Sequence, residues 1–232
     1  DYFQVTRSAG HGDFHPIVLA PASVQEAIDF TVLAFDLADK YKHMVLVVAD
    51  GQIGQMMEPA ELPPMRPLDK TRPGWGLTGA VDREKNVISS LYLQAEAEEA
   101  FNLHLQSKLV QINSAEQRST EWATDDAELL VIGFGTAGRI AFSAVEAARA
   151  QGMKVGLFRP QTLWPFPADR LKELATTTRR VLVVEMNAGQ MLEDVRLALY
   201  GHGDIPIEFY GRLGGIVPLP DEILEAITAQ YE

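Results

Sequence analysis

The stretch AELLVIGFGTAGRIAFSAVEAARAQGMKVGLFRP, residues 127–160, decides the fold. Its first part, 127–135, is an apolar run ending in glycine and reads as a buried strand. Residues 136–152 follow with helical character and end at Gly152, a glycine where a helix C-cap wants one. Residues 154–160, KVGLFRP, return to strand. Strand, helix and strand at this spacing make a βαβ unit, whose strands lie parallel in a sheet covered on both faces.

Outward from this unit the alternation continues. WPFPADRLKELATTT (164–178) reads as a helix with Pro167 near its first turn, and Trp164–Pro167 as a rigid aromatic corner at its start. RVLVVEM (180–186) is a strand and AGQMLEDVRLALYG (188–201) a helix. IEFYG (207–211) is a strand and PDEILEAITAQY (220–231) the last helix. Four β-α repeats predict a doubly wound open sheet over residues 124–232.

Toward the start, IVLA (17–20) is a short buried strand. Ser23 and Glu26 have capping-box spacing ahead of a helical apolar stripe through residue 41. MVLVVAD (44–50) is a β-branched strand that ends at the turn signal Asp50-Gly51. This βαβ pattern belongs to the first unit of the chain, residues 1–66, and residues 124–232 are the second unit. Between the units, residues 67–123 form a connector. Its Pro- and Gly-dense part predicts extended, irregular chain, and residues 95–112 predict an amphipathic helix with Phe101, Leu105, Leu109 and Ile112 on one stripe. The opening residues, DYFQVTRSAGHGDF, read like the middle of a domain, so an upstream segment is expected.

Composition removes several function classes. The 232 residues carry a formal charge of −12 and no cysteine. A disulfide scaffold, a cysteine nucleophile and a thiolate-held iron–sulfur cluster are excluded. An acidic chain lacks the basic footprint that nucleic acid requires. No apolar run reaches the length of about 18 residues that suggests a membrane span, and no secretory leader is visible, so the expected location is the cytoplasm. The five histidines show no metal-ligand spacing. No metal site is expected in this chain.

Four places carry candidate chemistry. Gly133–Gly138 formally matches GxGxxG, a dinucleotide fingerprint. A pyrophosphate at the helix N-terminus is the functional reading. The acidic residue expected about 20 positions on is replaced by Arg159, which suits a 2′-phosphate and keeps NADP open. A tight structural turn is the favoured alternative. His11 and Asp13 sit in a glycine-containing loop before the first strand, either as functional groups or as plain surface-loop residues. Asp50 and Gln52 follow a strand, at the carboxyl edge where ligands collect, or form a plain Asp-Gly turn. Glu185, Asn187 and Gln190 end one strand and open a helix. Asn187 serves there as an N-cap, or the three residues contact a partner subunit.

Several motifs together resemble the alpha subunit of 2-oxoacid:ferredoxin oxidoreductases. They are GHGDFHPIVLAPASVQEAIDFTVLAFDLADKY (10–41), VADGQIGQMMEP (48–59), GFGTAGRIA (133–141), LFRPQTLWPFP (157–167), VVEMNAGQM (183–191) and YGRLGG (210–215). DYFQVTRSAGHGD (1–13) and DGQIGQMMEP (50–59) are most similar to the 2-oxoisovalerate, branched-chain type. The resemblance implies oxidative decarboxylation of a 2-oxoacid with coenzyme A, giving acyl-CoA, carbon dioxide and reduced ferredoxin. It implies the remainder of a thiamine-diphosphate pyrimidine-type domain followed by a transketolase C-terminal-like domain. Thiamine diphosphate and its magnesium would be shared with a beta subunit, and iron–sulfur clusters would lie on other chains. Gamma- and delta-type subunits complete the implied complex. The family's pyrimidine-activating glutamate has no match here, and Glu26 and Glu58 are not placed in that role. His11, Asp13, Asp50 and Gln52 are the expected neighbours of the active site, and the chain alone is expected to bind no cofactor. The competing readings are a non-catalytic docking module and an NADP-dependent oxidoreductase built on Gly133–Gly138.

Overall fold

Local chemistry explains most elements of the computed structural model, which describes residues 1–7, 10–67 and 73–231. Residues 68–72 of the expected connector, Ser8 and Ala9 of the opening motif and the final residue of the second unit lie outside the described residues. The chain opens with α1 (Tyr2–Thr6), then β1 (Ile17–Leu19), α2 (Val24–Tyr41) and β2 (Val45–Val47). Ser23 caps α2 by accepting the Glu26 amide at 3.1 Å. The Glu26 carboxylate reaches back to the Ala22 amide at 2.8 Å, one residue earlier than a capping box places it. A short 3-10 turn (Ile53–Gln55) follows β2. After the extended connector comes α3 (Ala95–Ala115), which buries Leu109 and Ile112 of the expected stripe.

The second half contains β3 (Ser119–Trp122), β4 (Leu129–Ile132), α4 (Gly135–Ala150), β5 (Val155–Pro160) and β6 (Thr162–Trp164). It continues with α5 (Ala168–Ala175), β7 (Arg180–Glu185), α6 (Gln190–Leu199), β8 (Ile207–Gly211) and α7 (Pro220–Thr228). Two sheets result, ordered β2-β1-β6 and β3-β5-β4-β7-β8. In the larger sheet β5, β4, β7 and β8 are parallel, as the β-α alternation requires, and β3 adds an antiparallel edge. This strand carries the sheet back to Ser119, ahead of the expected boundary at residue 124.

The parallel strands are buried on both faces. Leu130 and Ile132 of β4 join Val181 and Val183 of β7 beneath α5 and α6. Leu129, Val131, Leu182 and Val184 face the opposite way, onto α4 and α7. Alternating side chains thus feed two cores from one sheet. A third core joins β1, α2 and Ile112 of α3.

The two sheets share one run of chain. β5 ends at Pro160, and two residues later β6 pairs antiparallel with β1, through Val18 and Leu19. The Ala20 amide donates to the Gln161 carbonyl at 2.8 Å. Trp164, the first residue of the expected aromatic corner, is therefore the last residue of a strand, and it stacks on His15 with centroids 4.9 Å apart. Glu116, 1 % exposed, fastens α2 to the end of α3 and to Arg118, just ahead of β3. Its carboxylate accepts from Lys40, Tyr41 and Arg118, each at 2.7 Å.

The glycine loop after β4 is built for close approach of its own backbone. A Cβ on Gly138 would lie 2.6 Å from the Gly133 carbonyl oxygen and 2.8 Å from its carbon. Gly138→Ala is expected to cost roughly 1–3 kcal/mol, since neither backbone can retreat. Gly54→Ala, where a Cβ meets nothing within 4 Å, is expected to leave stability nearly unchanged. Urea denaturation of the two variants checks the contrast.

Candidate functional site

An Asp-Gly sequence after a strand favours a side chain that folds back on its own backbone. Asp50 does this, its Oδ1 accepting the Gln52 and Ile53 amides at 3.1 Å each. The same carboxylate also reaches the start of α4. Oδ2 accepts the Thr136 amide at 2.8 Å, and Oδ1 accepts the Thr136 hydroxyl at 2.7 Å. The first amides of a helix have no partner within the helix, and the helix dipole favours an anion there. Gly135 makes room: its φ is +54°, and a Cβ would lie 2.9 Å from Asp50 Oδ2.

Two more carboxylates from the first unit meet cations of the second. Glu26 pairs with Arg159 through two bonds of 3.0 and 2.5 Å and accepts from Gln161 at 3.1 Å. Burial works to raise the Glu26 carboxyl, but the hydrogen bonds and charge of Arg159, with the Ala22 amide and Gln161, together outweigh it and hold it below the usual glutamate range. Glu58 accepts the Val24 amide at 3.1 Å and pairs with Arg139.

The crevice at the carboxyl ends of β4 and β7 is filled by α1. Tyr2, 5 % exposed, donates its hydroxyl to Asp194 Oδ2 at 2.6 Å and rests against the Phe134 ring. Burial, reinforced by Asp194, pushes the tyrosine well above its ordinary range. Arg7 closes on Asp194 at 2.8 and 3.3 Å, and the Phe3 amide donates to Gln190 Oε1 at 3.1 Å.

These contacts decide the sequence candidates. The NADP reading fails: the helix N-terminus that a pyrophosphate needs holds Asp50, and Arg159 holds Glu26. Gly133 and Gly138 bring helix and strand together instead, and Gly135 admits Asp50. Glu185 is 0 % exposed within this chain, so the partner-contact reading does not apply to it. Its carboxylate accepts the Met191 and Leu192 amides at 2.9 Å each, capping α6 from the preceding strand. Burial raises this carboxyl above its ordinary range. Asn187 Oδ1 accepts the Gly189 and Gln190 amides at 2.8 Å each, which is the capping role. Gln190 is half-buried and holds α1.

The two loops expected beside one active site lie at opposite ends of the first sheet. β1 and β2 run parallel in the register Ile17 to Val45 and Leu19 to Val47. His11 and Asp13 precede β1, whereas Asp50 and Gln52 follow β2. His11 and Asp13 line a cleft against α3, where Gln106 donates to the Asp13 carbonyl at 3.0 Å. Gln52 is exposed at the carboxyl end. Sequence reasoning missed Tyr2, Thr136 and Asp194, because their partners stand 86 to 192 residues away.

Fold and site together define an α/β protein of two joined open sheets, in which the first unit fills the crevice where the second would bind a nucleotide. Residues 1–120 match the family described as "Pyruvate flavodoxin/ferredoxin oxidoreductase, thiamine diP-bdg", and residues 127–223 match "Pyruvate:ferredoxin oxidoreductase core domain II". The chain belongs to the pyruvate flavodoxin/ferredoxin oxidoreductase family. It is 43% identical over 227 residues to a ketoisovalerate oxidoreductase subunit VorB of Methanothermobacter thermautotrophicus, covering 98% of this chain and 64% of the relative. It is 32% identical over 249 residues to the 2-oxoglutarate synthase subunit KorA of Methanothermobacter marburgensis, covering 95% and 65%. Among solved structures, the 2-oxoglutarate:ferredoxin oxidoreductase from Magnetococcus marinus superimposes with a TM-score of 0.76 at 20% identity, over 99% of this chain and 44% of that one. The chain thus spans under two thirds of the length of these relatives.

Among the described residues no group of three His, Cys, Asp or Glu side chains is placed to hold a metal. The buried carboxylates Glu116, Glu185 and Asp194 are already bonded, as is the half-buried Glu26.

The Glu26–Arg159 pair has a pH signature. Glu26 is held below its unfolded value, so its stabilisation is present above that value and is lost as pH falls through the folded one. Thermal midpoints of the chain are expected to fall as pH is lowered below about 4.3, and Glu26→Gln should flatten that dependence. Asp50→Ala, which leaves the Thr136 amide without its charged acceptor, is expected to cost about 2–3 kcal/mol by the same measurement.

Proposed function

We propose that this chain is part of the alpha-type subunit of a thiamine-diphosphate-dependent 2-oxoacid:ferredoxin oxidoreductase. The reaction is the CoA-dependent oxidative decarboxylation of a branched-chain 2-oxoacid to acyl-CoA and carbon dioxide, with electrons passed to ferredoxin. The observation that carries this reading is the 43% identity to a ketoisovalerate oxidoreductase subunit along nearly the whole chain, against 32% for a 2-oxoglutarate relative. The closed crevice supports it too, because it leaves the second unit a docking and bracing part.

In this reading residues 1–66 close a pyrimidine-type domain, 67–123 connect, and 124–232 form the transketolase C-terminal-like domain. The beta-type partner carries the diphosphate and its magnesium, and gamma- and delta-type partners complete the complex. Iron–sulfur clusters sit on other chains, in keeping with the absence of cysteine here. We place the enzyme in the cytoplasm; among the described residues no helix is long and apolar enough to cross a membrane. This chain's own contribution is positional. Asp50 holds the Gly51–Gln55 loop rigid, and the loop presents Gln52 at the carboxyl end of β2, the end of a parallel sheet where ligands gather.

Anaerobic, CoA-dependent viologen reduction by the complete complex, across a panel of 2-oxoacids, tests the proposal. The expected result is the highest kcat/KM with 2-oxoisovalerate. Preference for pyruvate or 2-oxoglutarate would remove the branched-chain assignment, and inactivity with every 2-oxoacid would remove the reaction. Gln52→Ala is expected to lower kcat/KM by about tenfold, and His11→Ala, at the far end of the sheet, to leave it unchanged.

A further inference from the structure

The cleft between α3 and the 10–15 loop has a volume of about 1490 Å³. That is larger than the roughly 300–1,000 Å³ of most small-molecule pockets. Lys42 and Lys108 both line it. Most described arginines and lysines of this acidic chain are ion-paired, but among the described residues these two make no ion pair. Lys108 spends one of its three N–H groups on the Lys42 carbonyl at 3.2 Å, which caps the end of α2. The Lys42 ammonium lies over the Trp75 ring, 5.8 Å from its centroid. The two charges repel: burial, then Lys42, holds the Lys108 ammonium below its ordinary range. Burial also lowers His43 on the same wall, with Lys108 acting in the same direction.

Backbone strain marks the same spot. Lys42 is the C-cap of α2 with φ +46° and ψ +56°, the left-handed conformation that glycine adopts without penalty. A lysine there, beside a second lysine, puts strain and repulsion in one place, and strained backbone clusters at ligand clamps. The remaining lining supplies apolar surface from Met44, Leu103 and Leu109. The acids of the cleft, Asp13, Glu98 and Glu99, make no ion pair with either lysine.

We propose that this cleft binds a phosphorylated organic anion, its phosphate held between Lys42 and Lys108 and its apolar body lying on α3. Ammonium groups act as point charges and suit a phosphate, whereas a planar carboxylate is better matched by the guanidinium fork. The proposal stands apart from the decarboxylation reading, since the cleft lies at the opposite end of the first sheet from Gln52.

Calorimetric titration with phenyl phosphate, of both the full chain and the complete complex, is the test. Saturable binding is expected, weakened by added salt and displaced by inorganic pyrophosphate. Lys42→Gly relieves the left-handed strain, so its thermal midpoint should hold or rise while affinity falls about tenfold; Lys108→Met should lose affinity similarly, and Lys42→Arg should retain most of it. Absence of saturable binding would overturn the proposal, and so would equal affinity in the variants. Binding by the chain that disappears in the complex would also overturn it, since a neighbouring polypeptide would then fill the cleft. Viologen reduction is unaffected by any of these outcomes, so the two proposals fail separately.

Discussion

The contact between the Asp50 carboxylate and the first turn of α4 is the constraint on which the rest of this structure depends. One side chain satisfies two amides of its own turn, one amide of a helix 86 residues away and that helix's threonine hydroxyl. To admit it, Gly135 takes a left-handed conformation without a Cβ, and Gly133 and Gly138 let strand and helix approach. The glycine loop is therefore explained twice over by the protein's own packing. A ligand at this helix terminus would have to displace a charged group that is already well bonded.

The same logic extends across the junction between the sheets. Glu26 and Glu58 supply the negative ends, and Arg159 and Arg139 the positive ends. Only one of the four side chains, Arg159, is close to full burial, at 11 % exposure. Partly solvated pairs of this kind add modest stability individually. Their effect is geometric. With β5 passing into β6 and β6 closing on β1, the pairs fix the orientation of a junction that the covalent chain already spans. Three acids of the chain, Asp50, Glu26 and Glu58, are used here, inside the molecule.

Most of the fold was legible because its strands are parallel and buried on both faces. Runs such as Leu129–Ile132 and Val181–Val184 are continuously apolar, and the helices between them are amphipathic. What escaped was short or polar. α1 has five residues, β6 has three, and β3 reads Ser-Thr-Glu-Trp, an edge strand with no apolar run. Their conformations are imposed by partners distant in sequence, as when Tyr2 finds Asp194. The site was legible only as local chemistry. Asp50 was visible as a turn residue, and Asn187 as a cap, because each acts on amides two or three positions ahead. Thr136 gave no local signal as the far partner of Asp50.

The GxGxxG match shows why a motif can be real and still not name a ligand. Its glycines serve close approach of helix to strand, and that requirement is the same whether the helix N-terminus holds a pyrophosphate or a carboxylate. What separates the two cases lies outside the motif, in whether an anion of the chain arrives first. Here Asp50 does, and Glu26 takes Arg159, the residue that would otherwise read a 2′-phosphate. Both halves of the nucleotide-binding apparatus are thus turned inward by the preceding unit. The surfaces left for recognition are the ones that unit does not cover: the rigid Gly51–Gln55 loop at one end of the first sheet, and the lysine-bearing cleft at the other.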